Sequence, residues 1–352
     1  SKRLLYIIFN DMQDLRSYIC EHTKEDLIDK IQSLDMDDKW VNKIMYHLVN
    51  GPQMKDAFIK YCKDNKRLTT RDAYILSSIA EETGNINFLS RVMDNNSLKI
   101  SSLIDTKQGN IKDAISNLEL SPDLIKGLID LDISQSGHGK GKYEALLMCC
   151  FGDIKHGNQN QADVLSNDKS IALEVKVNGS RIGGTKNTTS DSAYFLEKAL
   201  HKRNIDIDIP KDFFIKKSNI NWTEIEKTIK GNDLFNLLIQ SMLVQYEYLG
   251  DTIIINDKIK NEVITPRGID IQALFKLRFA LALKNYAIKK DLTHLIAIDK
   301  EGNYRIYDDS FLMNIEIIYE SIDNEIKIIN QGDIGKNEFS SQQMTFNFPT
   351  GG

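Results

Sequence analysis

Several features that would decide the class of this protein at once are missing from its sequence. Its 352 residues contain no apolar run of about 18 residues or more, so we expect no membrane-spanning helix. The apolar stretch 4–9 is too short for a signal peptide, which favours a cytoplasmic location in a bacterial host cell, or in a virion. The net charge of −5 gives no global sign of a nucleic-acid binder, so any DNA-binding surface must be local.

Cysteine and the common cofactor motifs are also scarce. The four cysteines form no C-x-x-C pair, which favours reduced, buried thiols and excludes a cysteine-based zinc site of ordinary spacing. The six histidines show no metal-ligand spacing, and no G-x-S-x-G element is present. The glycine-rich stretch 137–142 does not meet the phosphate-loop pattern G-x-x-x-x-G-K-[ST]. These absences exclude the most easily recognised hydrolase and nucleotide-binding classes.

The first part of the chain has the periodicity of helices. Its length favours two domains, and apolar residues recur every three or four positions from residue 11 to about 130. We predict helices at 53–64, 70–82 and 85–93, and Ser121-Pro122-Asp123 is a strong helix start. Residues 1–133 are therefore predicted to form an all-helical domain that serves docking or recognition, with a possible protein partner.

The pattern changes at the glycine-rich stretch 134–141. A short helix is predicted at 142–151, and strand-like runs at 161–166 and 170–177 are joined by turn residues, which indicates a β-hairpin. Further along, we predict helices at 233–248 and 270–289 and a second hairpin, 294–299 with 304–308. Residues 134–352 are therefore expected to form a second, mixed α and β domain.

One strand of the first hairpin carries an acid and a lysine. Because side chains alternate along a strand, Glu174 and Lys176 share one face. The opposite face, expected to be the core face, carries Ile171, Leu173, Val175 and Val177. Asp163 precedes Glu174 at a distance that a hairpin can close. Paired carboxylates repel unless a cation neutralises them, and hard oxygen ligands favour Mg²⁺, with Mn²⁺ as a substitute. Such a site suits phosphodiester hydrolysis.

The order of these elements is similar to that of a known family. A helix with Glu144 near its start, a strand with Asp163, and a strand with Glu174-Val175-Lys176 resemble the PD-(D/E)XK nuclease superfamily over roughly 45 residues. Ala162 stands where the family motif has proline. The resemblance implies a restriction-endonuclease-like αβββαβ core, of class α+β or α/β, with an insertion at about 187–268. It further implies that Asp163 and Glu174 ligate the metal, that Lys176 positions the attacking water, and that Glu144 supports the metal shell.

Local charge favours DNA as the partner. Residues 137–203 contain ten Lys or Arg and seven Asp or Glu, a difference of +3 in an acidic chain. A glycine-containing turn, 179–184, follows the Glu174–Lys176 strand and would let Arg181 approach a phosphate. The candidate DNA-binding residues are Lys140, Lys142, Arg181 and Lys186.

Three functions remain open at this point. The first is a Mg²⁺-dependent endonuclease of the type II restriction or phage DNA-processing kind. The second is a structure-specific nuclease, such as a resolvase, that acts on branched DNA. The third is a non-catalytic DNA-binding or phage assembly component with a retained nuclease fold. Double-stranded or branched DNA is the expected partner, and a homodimer would suit the cutting of both strands.

Overall fold

The chain divides into two compact units in the computed structural model. The structure describes residues 51–65, 67–94, 97–131, 143–158, 160–178, 214–216, 219–250, 253–329 and 343–346. Unit 1 comprises Ser1–Leu98 and Ile115–Gly152, and unit 2 comprises Lys99–Ala114 and Asp153–Gly352. The boundary between the units is therefore not a single position at residue 133. Unit 1 continues to Gly152, and unit 2 includes the earlier segment Lys99–Ala114. The predictions for residues 11–50 and 134–141 lie outside the described residues.

The described residues form thirteen α-helices and twelve β-strands. The helices are α1 Gly51–Asp64, α2 Thr70–Glu82, α3 Ile86–Met93, α4 Ile100–Thr106, α5 Ile111–Ala114, α6 Pro122–Asp130, α7 Glu144–Cys150, α8 Trp222–Thr228, α9 Gly231–Gln245, α10 Asp257–Val263, α11 Ile271–Lys290, α12 Asp309–Leu312 and α13 Ile315–Ser321. The strands are β1 Gln108–Asn110, β2 Ile154–His156, β3 Val164–Ser166, β4 Ala172–Val177, β5 Phe214–Lys216, β6 Asn219–Ile220, β7 Ile264–Thr265, β8 Gly268–Ile269, β9 His294–Ile298, β10 Asn303–Asp308, β11 Ile326–Ile329 and β12 Gln343–Phe346. None of the helices in the described ranges combines the length and the apolar character that a membrane crossing needs.

The described part of unit 1 is helical, and local capping explains where its helices begin. The predicted helices 53–64, 70–82 and 85–93 are confirmed as α1, α2 and α3. Ser121 caps α6 by accepting a hydrogen bond from the amide of Leu124, with Pro122 at the first helical position. Arg67, in the α1–α2 connection, donates to the carbonyl oxygens of Met148 and Phe151, both at 2.9 Å. This buried guanidinium ties the connection to the end of α7.

Unit 2 is built on a mixed six-stranded sheet with strand order β1-β10-β9-β4-β3-β2. Strands β2, β3 and β4 form an antiparallel meander, and β4 pairs in parallel with β9. The fold class is therefore α+β. Both predicted hairpins are confirmed, as β3–β4 and as β9–β10. The expectation of an all-helical chain to residue 130 is wrong at β1, a short polar strand that pairs with β10 and so places Lys99–Ala114 in unit 2.

Helix α11 covers one face of the central strands. Asp270 caps it by accepting from the amide of Ala273, and Asp291 ends it in the left-handed conformation. Buried residues of α11 share a hydrophobic core with Ala172 of β4 and with Leu295 and Ala297 of β9. The parallel register pairs Glu174 with Leu295 and Lys176 with Ala297, so all of these residues lie on the same face of the sheet. The C-terminal end of α11 therefore packs where β4 carries its polar side chains.

Candidate metal centre

The turn of the β3–β4 hairpin sets the register that brings the candidate ligands together. The carboxylate of Asp168 accepts hydrogen bonds from the Ser166 hydroxyl at 2.5 Å and from the Ser170 amide at 3.0 Å. These hydrogen bonds lower the pKa of Asp168 to about 2. Lys169 takes a left-handed conformation with φ 62°, which closes the turn. The turn residues thus fix how β3 faces β4.

Asp163 lies across from Glu174. The hairpin pairs Val164 with Leu173, and one further step in this register places Asp163 opposite Glu174. The Asp163 carboxylate points toward β4, because its Oδ2 atom accepts a hydrogen bond from the Val175 amide at 3.0 Å. The predicted pairing of these two acids is therefore present in the structure.

A tight loop before Asp163 holds its main chain. The carbonyl oxygen of Asp163 accepts from the Gly157 amide at 3.1 Å and lies 2.6 Å from Nδ1 of His156. A Cβ atom on Gly157 would lie 1.8 Å from the carbonyl oxygen of Ala162. Only glycine allows this approach, so Gly157 is required for the loop that delivers Asp163 to the site.

Glu174 is the buried centre of the cluster, with 1% of its surface exposed. Its Oε1 atom accepts from the Lys176 ammonium at 2.7 Å and from the Tyr286 hydroxyl. Its Oε2 atom accepts no hydrogen bond from the residues that the structure describes, and the Lys290 ammonium lies 3.9 Å away. One oxygen of Glu174 is thus held by two donors, while the other is left for a further partner.

The face that carries Glu174 and Lys176 is not solvated. The prediction that the aliphatic face of β4 is a core face is confirmed by the burial of Leu173 and Val175, but the sequence pattern did not show that the opposite face is covered as well. Leu173 and Val175 are buried, but so is Glu174, and the Lys176 side chain is only 12% exposed. The Lys176 ammonium lies 3.5 Å from the Tyr286 hydroxyl and 5.1 Å from the centre of its ring. Helix α11 covers this face, as expected for a central strand with a parallel neighbour.

Burial and repulsion act together on Asp163. Loss of solvent and then the negative charge of Glu174 raise the pKa of Asp163 to about 6. The positive charges of Lys176 and Lys290 and the Val175 amide oppose this rise without cancelling it. A carboxyl group with a raised pKa beside a second carboxylate is a place where a divalent cation would relieve repulsion.

The donor set fits a magnesium ion. Asp163 and Glu174 offer hard carboxylate oxygens, and Glu174 Oε2 is a buried acceptor with no donor among the described residues. Mg²⁺ is commonly held by one or two carboxylates and completes its shell with water and phosphate oxygens. Within the described ranges there is no group of three or more His, Cys, Asp or Glu side chains placed to hold a metal. The fit therefore rests on this carboxylate pair.

The other predicted site residues have different outcomes. Glu144 is the first residue of α7 in unit 1 and is 6% exposed, and its support of a metal shell stays a prediction. The candidate DNA-binding residues Lys140, Lys142, Arg181 and Lys186 lie outside the described residues.

Two residues of the cluster were missed in the sequence. Tyr286 and Lys290 are one turn apart near the C-terminal end of α11 and therefore share a helix face. That spacing is visible in the sequence, but the strand that this face covers is not. Comparison with known proteins gives no further guidance, because no protein-family model, no curated protein and no solved structure matches this chain.

Proposed function

We propose that this protein is a Mg²⁺-dependent DNA endonuclease of the PD-(D/E)XK superfamily. The observation that carries the proposal is the convergence of Asp163, Glu174 and Lys176 at one partly buried site. The two carboxylates would hold the ion, and the lysine ammonium is fixed on one of them. A pair of carboxylates with an adjacent lysine suits hydrolysis of a phosphodiester bond better than any other chemistry that these groups support.

Each side chain has a distinct task in this proposal. Asp163 and Glu174 would hold the metal, which would supply polarisation of a phosphoryl oxygen and acidification of a water molecule. The Tyr286 hydroxyl and the Lys176 ammonium both hold Oε1 of Glu174, whereas Oε2 accepts no hydrogen bond from the described residues. The same ammonium can donate a hydrogen bond to the attacking water and balance the negative charge that develops on the phosphate.

The order of elements also supports the family assignment. Along the chain, helix α7 is followed by strands β2, β3 and β4, and after an insertion by helix α11 and strand β9. This is the αβββαβ order that the resemblance implies. The insertion contains α8, α9 and α10 with two short hairpins. Insertions into a rigid fold commonly carry the residues that recognise the substrate.

Cleavage assays with purified protein test the proposal. Plasmid DNA and a four-way DNA junction are incubated with and without Mg²⁺. We expect Mg²⁺-dependent cleavage by the parent and none by Lys176→Ala. Because this substitution leaves the buried Glu174 with one donor fewer, circular dichroism and a DNA-binding measurement establish that the variant is folded and binds DNA. Lys300→Ala, in the exposed β9–β10 turn, is the matched control and should cleave like the parent.

The outcomes separate the three functions. Discrete plasmid fragments would identify a restriction-type enzyme, and cleavage of the junction alone would identify a resolvase. DNA binding without cleavage of either substrate would contradict the proposal and favour the non-catalytic role. Equal cleavage rates for Lys176→Ala and the parent would refute the assignment of Lys176.

A further inference from the structure

Lys290 is a second ammonium group at the same cluster. It is the last residue of α11, and its side chain is 13% exposed. Its Nζ atom donates to the carbonyl oxygen of Gln161 at 2.7 Å and lies 3.9 Å from Glu174 Oε2. It also lies 5.7 Å from the ring centre of Tyr286, one helical turn earlier. One cation thus contacts both the segment before Asp163 and the buried acid.

The charges of the cluster balance without a metal. Asp163 and Glu174 contribute two negative charges when ionised, and Lys176 and Lys290 contribute two positive charges. Lys176 is bound to Glu174 Oε1, whereas Lys290 faces Oε2, the oxygen that accepts no hydrogen bond within the described part of the chain. Lys290 therefore stands next to the carboxylate oxygen that a divalent ion would occupy.

We propose that Lys290 is a positioning residue of the metal centre. Its ammonium balances Glu174 before the divalent ion binds, and it ties the segment that carries Asp163 to helix α11. This inference rests on the proposed function, since it assigns a role toward the metal that Asp163 and Glu174 would hold.

The neighbouring residue provides a matched control. Lys289 carries the same charge in the same helical turn, but its ammonium lies 5.8 Å from the ring centre of Tyr248 instead. Lys289→Met and Lys290→Met thus remove one charge each from the end of α11, and only the second removes the contacts to Gln161 and Glu174. Lys290→Arg keeps the charge and a donor and serves as the conservative variant.

Metal affinity is the first measurement. Calorimetric titration of the full chain with Mn²⁺ should show tighter binding for Lys290→Met, on the order of tenfold, because the loss of a positive charge that repels the ion outweighs the weaker hold on Asp163. Lys290→Arg and Lys289→Met should bind Mn²⁺ like the parent. Loss of an ordinary packing residue would instead loosen the site and weaken the affinity. Equal or weaker Mn²⁺ binding by Lys290→Met would overturn the proposed charge balance.

Hydrogen exchange without metal is the second measurement. The Val175 amide donates to Asp163 Oδ2, so its exchange rate reports whether Asp163 is held in place. We expect the Val175 amide to exchange about fivefold faster in Lys290→Met, because this variant loses the stabilisation of roughly one hydrogen bond near Asp163. The exchange rate should not change in Lys290→Arg or Lys289→Met. Unchanged exchange in Lys290→Met would overturn the positioning role. Absence of Mn²⁺ binding by the parent would instead refute the proposed metal site, and the exchange rates would still decide whether Lys290 holds Asp163.

Discussion

Replacement of Asp163 by asparagine should stabilise the metal-free protein at neutral pH, although it removes one carboxylate of the proposed metal site. Asparagine has nearly the same shape, and its side-chain oxygen can still accept the hydrogen bond from the Val175 amide. It carries no charge, so it removes both the cost of burying an anion and the repulsion by Glu174. The substitution therefore measures how much the ionised Asp163 side chain destabilises the folded chain when no divalent cation is bound.

The size of the effect follows from the pKa of Asp163. The pKa rises from an ordinary value of 3.8 to about 6 in the folded protein. A pKa shift of that size means that the ionisation of Asp163 lowers the free energy of unfolding by about 3 kcal/mol. For a unit of this size, the melting temperature should change by roughly 6 to 12 °C.

The effect must depend on pH with a definite sign. Below pH 3.8 Asp163 is protonated in both the folded and the unfolded chain, and it costs nothing. Between 3.8 and about 6 the unfolded chain releases the proton while the folded chain keeps it, so stability falls as the pH rises. Above that window the full cost is present. The stabilisation by Asp163→Asn should therefore be close to zero at pH 4 and complete at pH 7.5.

Thermal melts in EDTA at pH 4 and pH 7.5 test this prediction. Glu301→Gln, in the exposed β9–β10 turn, is the control and should melt like the parent at both pH values. Added Mg²⁺ should raise the melting temperature of the parent at pH 7.5 but not that of Asp163→Asn. A difference between Asp163→Asn and the parent that is the same at both pH values, or a less stable variant at pH 7.5, would refute the reasoning.

Three further substitutions test other parts of the structure. Tyr286→Phe removes one donor to Glu174 but keeps the ring, so the Mg²⁺-dependent cleavage rate of the folded variant should fall about tenfold. An unchanged rate would show that the hydroxyl does not orient Glu174. Gly157→Ala forces a Cβ atom against the carbonyl oxygen of Ala162 and should cost about 2 kcal/mol of unfolding free energy in urea titrations. A parent-like urea midpoint would contradict the close approach at Gly157. Ser121→Ala removes the cap of α6 and should cost about 1 kcal/mol by the same titration, whereas no loss would mean that the cap does not stabilise unit 1.

Local patterns were enough to predict the hairpin that carries the site. Alternation along β4 and the turn residues around Asp168 set the strand pairing, and that pairing places Asp163 near Glu174. The start of α6 at Ser121-Pro122 could also be predicted, because capping depends on residues only three positions apart. Both features depend on residues that are close together in the sequence, so they can be predicted from the sequence alone.

The surroundings of the site depend on contacts between distant parts of the chain. Tyr286 and Glu174 are 112 positions apart and meet because β9, which follows α11, pairs in parallel with β4. No periodicity within β4 could reveal that α11 covers its polar face. Strand β1 was missed for a similar reason, since Gln108–Asn110 has no apolar alternation and is a strand only because β10 offers a free edge.

The position of a bound Mn²⁺ ion tests the central claim most directly. Anomalous diffraction from a crystal soaked in Mn²⁺ would locate the ion without reference to any activity. We predict a peak in direct contact with carboxylate oxygens of both Asp163 and Glu174, and no such peak in Asp163→Asn. A peak elsewhere, or contact with only one of the two carboxylates, would contradict the proposed metal centre.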